Sequence, residues 1–346
     1  MTANSNSPSK KTDNSVLPPG EDAANDSSQG ESDLLGDDPI WTPEIQLLAE
    51  AVRGRYRLGF RGMAVDGQQR CGKTSACEFL VDTLPDTIGY PVATFLWSIP
   101  EFATTERDFV QERLRDSGCF ATSNRDIAIL RGRLYDHIAE SAEALGSRRA
   151  IVVVDEAQNL TRQQYHYLHH CDNNLQKRKV RPFFVLVGQP ELRQMTSSWT
   201  KSKGFQVVGR FFAHQHTYRG VALADVPKVV KGFDEPAGDA KETTYAHAIP
   251  DAYKAGWRLS AVSEILVETI TAVAAKQNIN AGVRVPMQSL RAMLFSILFQ
   301  VIDDRVDPAK LGRKMMLKAV RDSAFPTVMT QYVDANQDVE DDLEAA

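Results

Sequence analysis

Short, almost wholly apolar runs alternate with longer amphipathic stretches through the first two thirds of the chain. Residues 62–66 (GMAVD), 91–99 (PVATFLWSI), 150–154 (AIVVV) and 183–187 (FFVLV) form four such runs. Continuous apolar character over so few residues predicts strands buried on both faces. A fifth, shorter strand is expected near 212–218. Helical runs lie between them at 75–84, ended by Pro85, at 126–145 and at 161–176. Ahead of the first strand, Thr42-Pro43-Glu44 reads as N-cap, first helical residue and early acid, opening a helix to about Val52. Strands alternating with helices predict an α/β fold with a central parallel sheet covered on both faces.

Beyond 220 the pattern changes. A mixed connector at 220–250 is followed by helical runs at 252–276, 286–301 and 308–322, which predict a small C-terminal helical domain. The ends differ again. Residues 1–40 are rich in Ser, Asn, Asp, Gly and Pro, and are expected to be disordered because they hold too little apolar surface to offset ordering entropy. The expected organisation is an acidic tail at 1–40, a core at 41–220, a connector and helical lid at 221–330, and a second acidic tail at 331–346. No internal repeat is present.

Charge sharpens this picture. The 346 residues carry a net charge of −5, yet residues 1–40 hold eight acids against two bases, and 334–346 hold six acids and no base. The body from 41 to 333 is therefore at +7, which is compatible with a nucleic-acid partner. The longest apolar run, near 293–302, is far short of the roughly 20 residues a membrane span requires, and the N-terminus has no apolar signal region. Cys71, Cys77, Cys119 and Cys171 form no C-x-x-C pair, so a reduced, cytoplasmic protein without a membrane partner is expected.

Chemistry gathers where two strands end. The first runs into Gly67-Gln68-Gln69-Arg70-Cys71-Gly72-Lys73-Thr74-Ser75, which fits G-x-x-x-x-G-K-[ST] between a strand and a helix. Such a loop turns successive backbone N–H groups toward phosphate oxygens at a helix N-terminus. Lys73 would reach the β- and γ-phosphates and the Thr74 hydroxyl would bind Mg²⁺. The third run ends in Asp155-Glu156, and buried carboxylates are costly unless a metal or nucleotide meets them. Asp155 would hold the magnesium through water and Glu156 would polarise the attacking water. ATP with Mg²⁺ is the expected ligand pair.

Three further positions narrow the class. Gln189 stands at the end of the next strand, where it would contact the γ-phosphate or align water; a helix-entry residue before Pro190 is the alternative. Arg210, in Gly209-Arg210-Phe211, would be offered to a neighbouring subunit's γ-phosphate; a surface ion pair is the alternative, and Arg219 competes for the role. In the lid, Arg291 is preferred over Arg284 as a nucleotide sensor. His166, His169 and His170 share a helix, but with no second ligand pair they read as a polar face, and Cys77 reads as a small core residue.

The combination GQQRCGKT, IVVVDEAQNL, VLVGQPEL and VGRFF resembles the AAA+ regulators of transposition, the TnsC/TniB/MuB group, and most of all the compact TnsC proteins of CRISPR-associated Tn-seven-like transposons. The matching motifs lie between 62 and 220. The resemblance implies a P-loop AAA+ domain followed by a helical lid in a bacterial cytoplasmic protein. It implies ATP-bound homo-oligomers, rings or filaments, on duplex DNA, joining a TniQ-type target selector to the transposase. DNA would be gripped by Arg107, Thr122, Ser123, Asn124 and Arg125 after the second strand. The other candidate is the run Lys177, Arg178 and Lys179, which also reads as a solvated helix terminus. Neither stretch carries interleaved aromatics, so base stacking is not expected. The DEAQNL and GQPEL wording is shared with ExeA-type secretion ATPases. A secretion-associated or replication-loader-like ATPase, and a nucleotide-gated scaffold with negligible hydrolysis, stand as alternatives.

Overall fold

The structure, a computed structural model, describes residues 34–36, 40–102, 105–236 and 242–333. Five strands, β1 (Gly62–Asp66), β2 (Ala93–Ser98), β3 (Arg149–Asp155), β4 (Arg181–Gly188) and β5 (Gln215–Thr217), form one parallel sheet in the order β2-β3-β4-β1-β5. Period-two alternation divides their side chains between two cores. Ile151 and Val153 of β3 join Val65, Val185 and Leu80 on one face, whereas Val152 and Val154 join Trp97, Leu134 and Tyr165 on the other. The first face is covered by α1 (Pro43–Arg57) and α2 (Lys73–Ile88). The second is covered by α3 (Glu106–Asp116), α4 (Ile127–Ala144), α5 (Arg162–Lys177) and α6 (Glu191–Lys201).

Capping explains the boundaries. Thr42 Oγ1 accepts from the Ile45 N–H at 3.2 Å, as its position before Pro43 predicts, and α1 then runs on to Arg57. Thr161 and Gln164 close a capping box on α5. The helix after the phosphate loop is longer than expected, because Pro85 does not end it. The carbonyl that Pro85 leaves without an N–H partner, Val81 O, accepts instead from Thr94 Oγ1 of β2 at 2.9 Å, and the helix continues to Gly89, whose φ of 88° makes the C-cap. Between β2 and α4, where no helix was expected before 126, the chain forms α3, started by a capping box between Thr105 and Asp108. The fifth strand is only three residues long, since Val208–Phe212 forms a π-turn that occupies its expected beginning.

The C-terminal part packs around a core of its own, including Val230, Leu266, Leu294, Ile297 and Val320. Its principal helices are α7 (Val226–Gly232), α8 (Ser263–Lys276), α9 (Met287–Ile302) and α10 (Arg313–Asp322). The helix expected over 252–276 is split in two: a short helix, Pro250–Lys254, ends before Gly256, which sits at a φ of 92°, and α8 begins at Ser263. A two-stranded antiparallel ribbon, Val221–Ala222 with Arg284–Val285, ties this part to the end of the sheet domain. One expectation for the N-terminal tail is corrected. Leu34 and Leu35, placed in the disordered 1–40 segment, are each 4% exposed within the C-terminal core, and Leu34 O accepts from Thr244 Oγ1 at 2.8 Å. The rest of that tail apart from Gly36 and Ile40, and the acidic residues 334–346, lie outside the described residues.

Candidate functional site

Because the sheet is parallel, the C-terminal ends of its strands open on one edge. Asp66 of β1 pairs with Gly188 of β4, and Val154 of β3 with Leu186 of β4. The loop after β1, the Asp155-Glu156 pair after β3 and Gln189 after β4 are thereby brought together, the position where open α/β sheets bind ligands.

The loop geometry accounts for its glycines. A Cβ on Gly67 would lie 2.4 Å from Tyr218 O, and Gly72 has a φ of 99°. Lys73 is buried, its Nζ donating to Gly67 O at 2.9 Å and Gln68 O at 2.7 Å. Cys71 Sγ donates to Gln68 O at 2.9 Å, and burial pushes its thiol up to about 11. Asp155 is 3% exposed. Burial raises its carboxyl above the usual range, opposed by hydrogen bonds from the Thr74 hydroxyl and the Glu156 N–H. A desolvated carboxylate beside a hydroxyl is an all-oxygen donor set that fits Mg²⁺. Lys73, Thr74, Glu156, Gln189 and Arg291 line a cavity of about 660 Å³. A second cavity of about 260 Å³ adjoins it through Gly72, Ser75, Met287 and Arg291, and is walled by Ile40, Ile45, Tyr218 and Val221. The first has the cations and hydroxyls a polyphosphate requires, and the second sets those apolar side chains beside the polar Thr42, Glu44 and Arg219.

Several contacts here were not foreseen. Asp66, desolvated at the end of β1, is paired with Arg193 of α6 at 3.0 Å. Tyr332 Oη donates to Gln69 O at 2.6 Å, tying the end of the C-terminal part to the phosphate loop. Gln69 Nε2 donates to Gln189 Oε1 at 2.9 Å, and Gln158 Oε1 accepts from the Gln189 N–H at 3.0 Å. Only the capping and loop motifs have a local sequence signal; these pairs join residues far apart in the chain.

Residues 60–196 match the family model described as AAA domain. Together with the five-stranded parallel sheet and the glycine-shaped loop, this decides the class. The chain contains an AAA+ P-loop domain. Among solved structures, Cdc6p from Pyrobaculum aerophilum is similar over 79% of this chain and 66% of its own, just under two thirds, with 13% identity and a TM-score of 0.51. ORC1 of Aeropyrum pernix in complex with DNA (12% identity, 85% and 87% covered, TM-score 0.40) and a Walker-type ATPase of Pyrococcus abyssi (14%, 86% and 100%, 0.44) resemble it more loosely. No curated protein matches the sequence. The AAA+ domain implies nucleotide binding with Mg²⁺.

Arg210 lies away from the chain's own AAA+ phosphate loop. Its Nε donates to Asp172 Oδ2 at 2.9 Å and its Nη2 to Asn173 Oδ1 at 3.3 Å, with Arg61 Nη1 at 3.8 Å from the same buried Asp172. Its backbone oxygen stands near Gly62, at the opposite end of β1 from Gly67. The ion pair set against the trans role in the sequence reading is thus present within the chain. Arg219 donates its backbone N–H to Glu44 Oε1 at 2.7 Å, Arg284 pairs with Glu44 at 3.7 Å, and Arg291, whose Nη2 donates to Gly36 O, lines both cavities.

The two basic stretches of the AAA+ domain separate. Arg107 donates to the backbone oxygens of Asn124 and Arg125, and Arg133 to those of Ala121 and Ser123, so both guanidiniums shape the loop. Thr122 and Asn124 likewise brace it, through Thr122 O to Gln111 and Asn124 Oδ1 to the Asp126 N–H. Arg125 and Ser123 are exposed on it. Phe120, 87% exposed, directly precedes this loop. At the other end of the sheet, Arg178 pairs with Asp136 at 2.6 Å, while Lys177 and Lys179 are exposed. His170 bonds the Tyr135 hydroxyl at 3.0 Å, and His166 meets the Trp199 ring edge-on. No group of three or more metal-ligating side chains occurs among the described residues.

Proposed function

We propose that this protein is an ATPase that assembles in its ATP-bound state on duplex DNA and couples target choice to a transposase through a TniQ-type selector. The observation that carries the ATPase reading is the meeting, at one sheet edge, of Lys73, the Thr74–Asp155 hydrogen bond, Glu156 and Gln189 around one cavity. Lys73 and the loop N–H groups bind the phosphates, Thr74 and Asp155 hold Mg²⁺, Glu156 polarises water and Arg291 reads the bound nucleotide from the lid. Arg210 reaches a neighbour's γ-phosphate after leaving Asp172. The DNA reading is supported by the exposed Arg125 loop with Phe120 at its base, and by Lys177 and Lys179. The transposition reading is supported by the four-motif resemblance.

Negative-stain microscopy of the protein with duplex DNA in ATPγS, ADP or no nucleotide tests this. Rings or filaments on DNA with ATPγS alone are expected. Rings that ignore DNA would overturn the DNA and transposition reading, and monomers in every state would overturn assembly.

A further inference from the structure

Gln158 is the second residue after the Asp155-Glu156 pair, in the 3₁₀ turn Ala157–Asn159. Its side chain is held at both ends. The amide oxygen accepts from the backbone N–H of Gln189, and the amide nitrogen donates to Glu156 Oε2. The space for it is made by Gly188, where a Cβ would lie 2.5 Å from Gln158 Oε1. Glu156 itself has a left-handed backbone with a φ of 54°, rarely adopted by a residue with a long side chain, and its carboxylate still lines the phosphate-side cavity. A carboxylate on an unusual backbone, with one oxygen tied to a fixed amide and its side chain facing the cavity, has the arrangement of a base oriented by a neighbour.

We infer that Gln158 is the positioning residue for Glu156: it binds Oε2 and so leaves Oε1 directed at the water that attacks the γ-phosphate. The inference rests on the ATPase reading of this site. It also gives Gln189 a second function, because this residue of the cavity wall fixes, through its N–H, the amide that aims the base. The side chain of Gln189 is in turn bonded to Gln69 of the phosphate loop at 2.9 Å. Side chains of Gln69, Gln189, Gln158 and Glu156, from the segments that follow β1, β4 and β3, are therefore linked in one series ending at Glu156.

The test is a double-mutant cycle on the full-length protein, with steady-state ATP turnover and direct titration of a fluorescent ATP analogue. Gln158→Met keeps the length and volume but removes both hydrogen bonds. It is expected to lower kcat roughly ten- to a hundredfold, the equivalent of one hydrogen bond to a charged group, with KM and nucleotide affinity close to wild type and Tm lowered by only a few degrees. In a Glu156→Gln background the same substitution is expected to cost nothing further, since it acts only through Glu156. Wild-type kcat in Gln158→Met, or an equal loss in the Glu156→Gln background, overturns the inference while leaving the ATPase reading intact. A wild-type protein without turnover, or turnover unchanged in Glu156→Gln, overturns the ATPase reading itself. Gly188→Ala, whose methyl group displaces the Gln158 amide, supplies a second variant expected to show the same kcat loss at unchanged nucleotide affinity; wild-type kcat in that variant also counts against the inference.

Discussion

The position of Arg210 separates a structural from a catalytic role in a measurable way. Its guanidinium is one of three side-chain partners of the Asp172 carboxylate: Arg210 Nε and Gln176 Nε2 each donate to it at 2.9 Å, and Arg61 stands at 3.8 Å. Arg210→Ala therefore does not orphan Asp172, and the cost falls below the 3–5 kcal/mol of breaking an isolated buried pair. About 2 kcal/mol is expected, the worth of a hydrogen bond to a charged group. At about 2–4 °C per kcal/mol, Tm drops by roughly 4–8 °C. Asp172→Asn breaks the same ion pair from the other side and leaves the arginine present. If Arg210 serves a neighbour's nucleotide, Arg210→Ala loses about 10³-fold or more in turnover, whereas Asp172→Asn, equally destabilised, retains it.

Mixing subunits completes the argument. Arg210→Ala subunits have an intact site and no finger; Glu156→Gln subunits have a finger and no water activator. In a head-to-tail assembly a random equal mixture creates working interfaces at roughly a quarter of positions, so about a quarter of wild-type turnover per subunit is expected from two inactive proteins. A mixture no more active than its components, together with equal losses in Arg210→Ala and Asp172→Asn, refutes the trans role and leaves Arg210 as a strut between the π-turn and α5.

Thr94→Val removes the hydroxyl that replaces the proline-lost hydrogen bond of α2, and urea titration is expected to show a loss of about 1 kcal/mol with the m-value unchanged. Burial holds the Cys71 thiol neutral up to about pH 11, and alkylation proceeds through the thiolate. Iodoacetamide at pH 8 should therefore leave Cys71 unmodified by mass spectrometry until the protein is denatured; rapid native labelling would contradict the buried position. Arg125→Ala, Lys177→Ala and Lys179→Ala should each flatten the salt dependence of duplex-DNA affinity by about one unit of slope if that side chain meets a phosphate, and an unchanged slope clears the residue of the role.

How much of this was legible in the sequence follows from the range over which each feature is encoded. The strands, α1, α5 and the phosphate loop are written in contiguous residues: Thr42-Pro43, Thr161 to Gln164, Gly67 to Thr74. Each such pattern carries its own geometric consequence, and each was readable. Some departures are local, at Gly256 and at the Thr105–Asp108 capping box of α3; others arose where a distant residue changes the meaning of a local signal. Pro85 is a helix terminator unless a hydroxyl such as that of Thr94 reaches Val81 O; Leu34-Leu35 is too sparse to order a polar tail unless Thr244 and the C-terminal core receive it. The same rule governs the site. Lys73, Asp155 and Glu156 announce themselves by motif, but the residue that orients Glu156 does so only because β3 and β4 lie side by side in parallel, setting Gln158 against the Gln189 N–H. Glycine at 188, unremarkable in a strand-ending VLVG, is the one trace of that contact in the sequence, and it becomes interpretable only when the neighbouring strand is known.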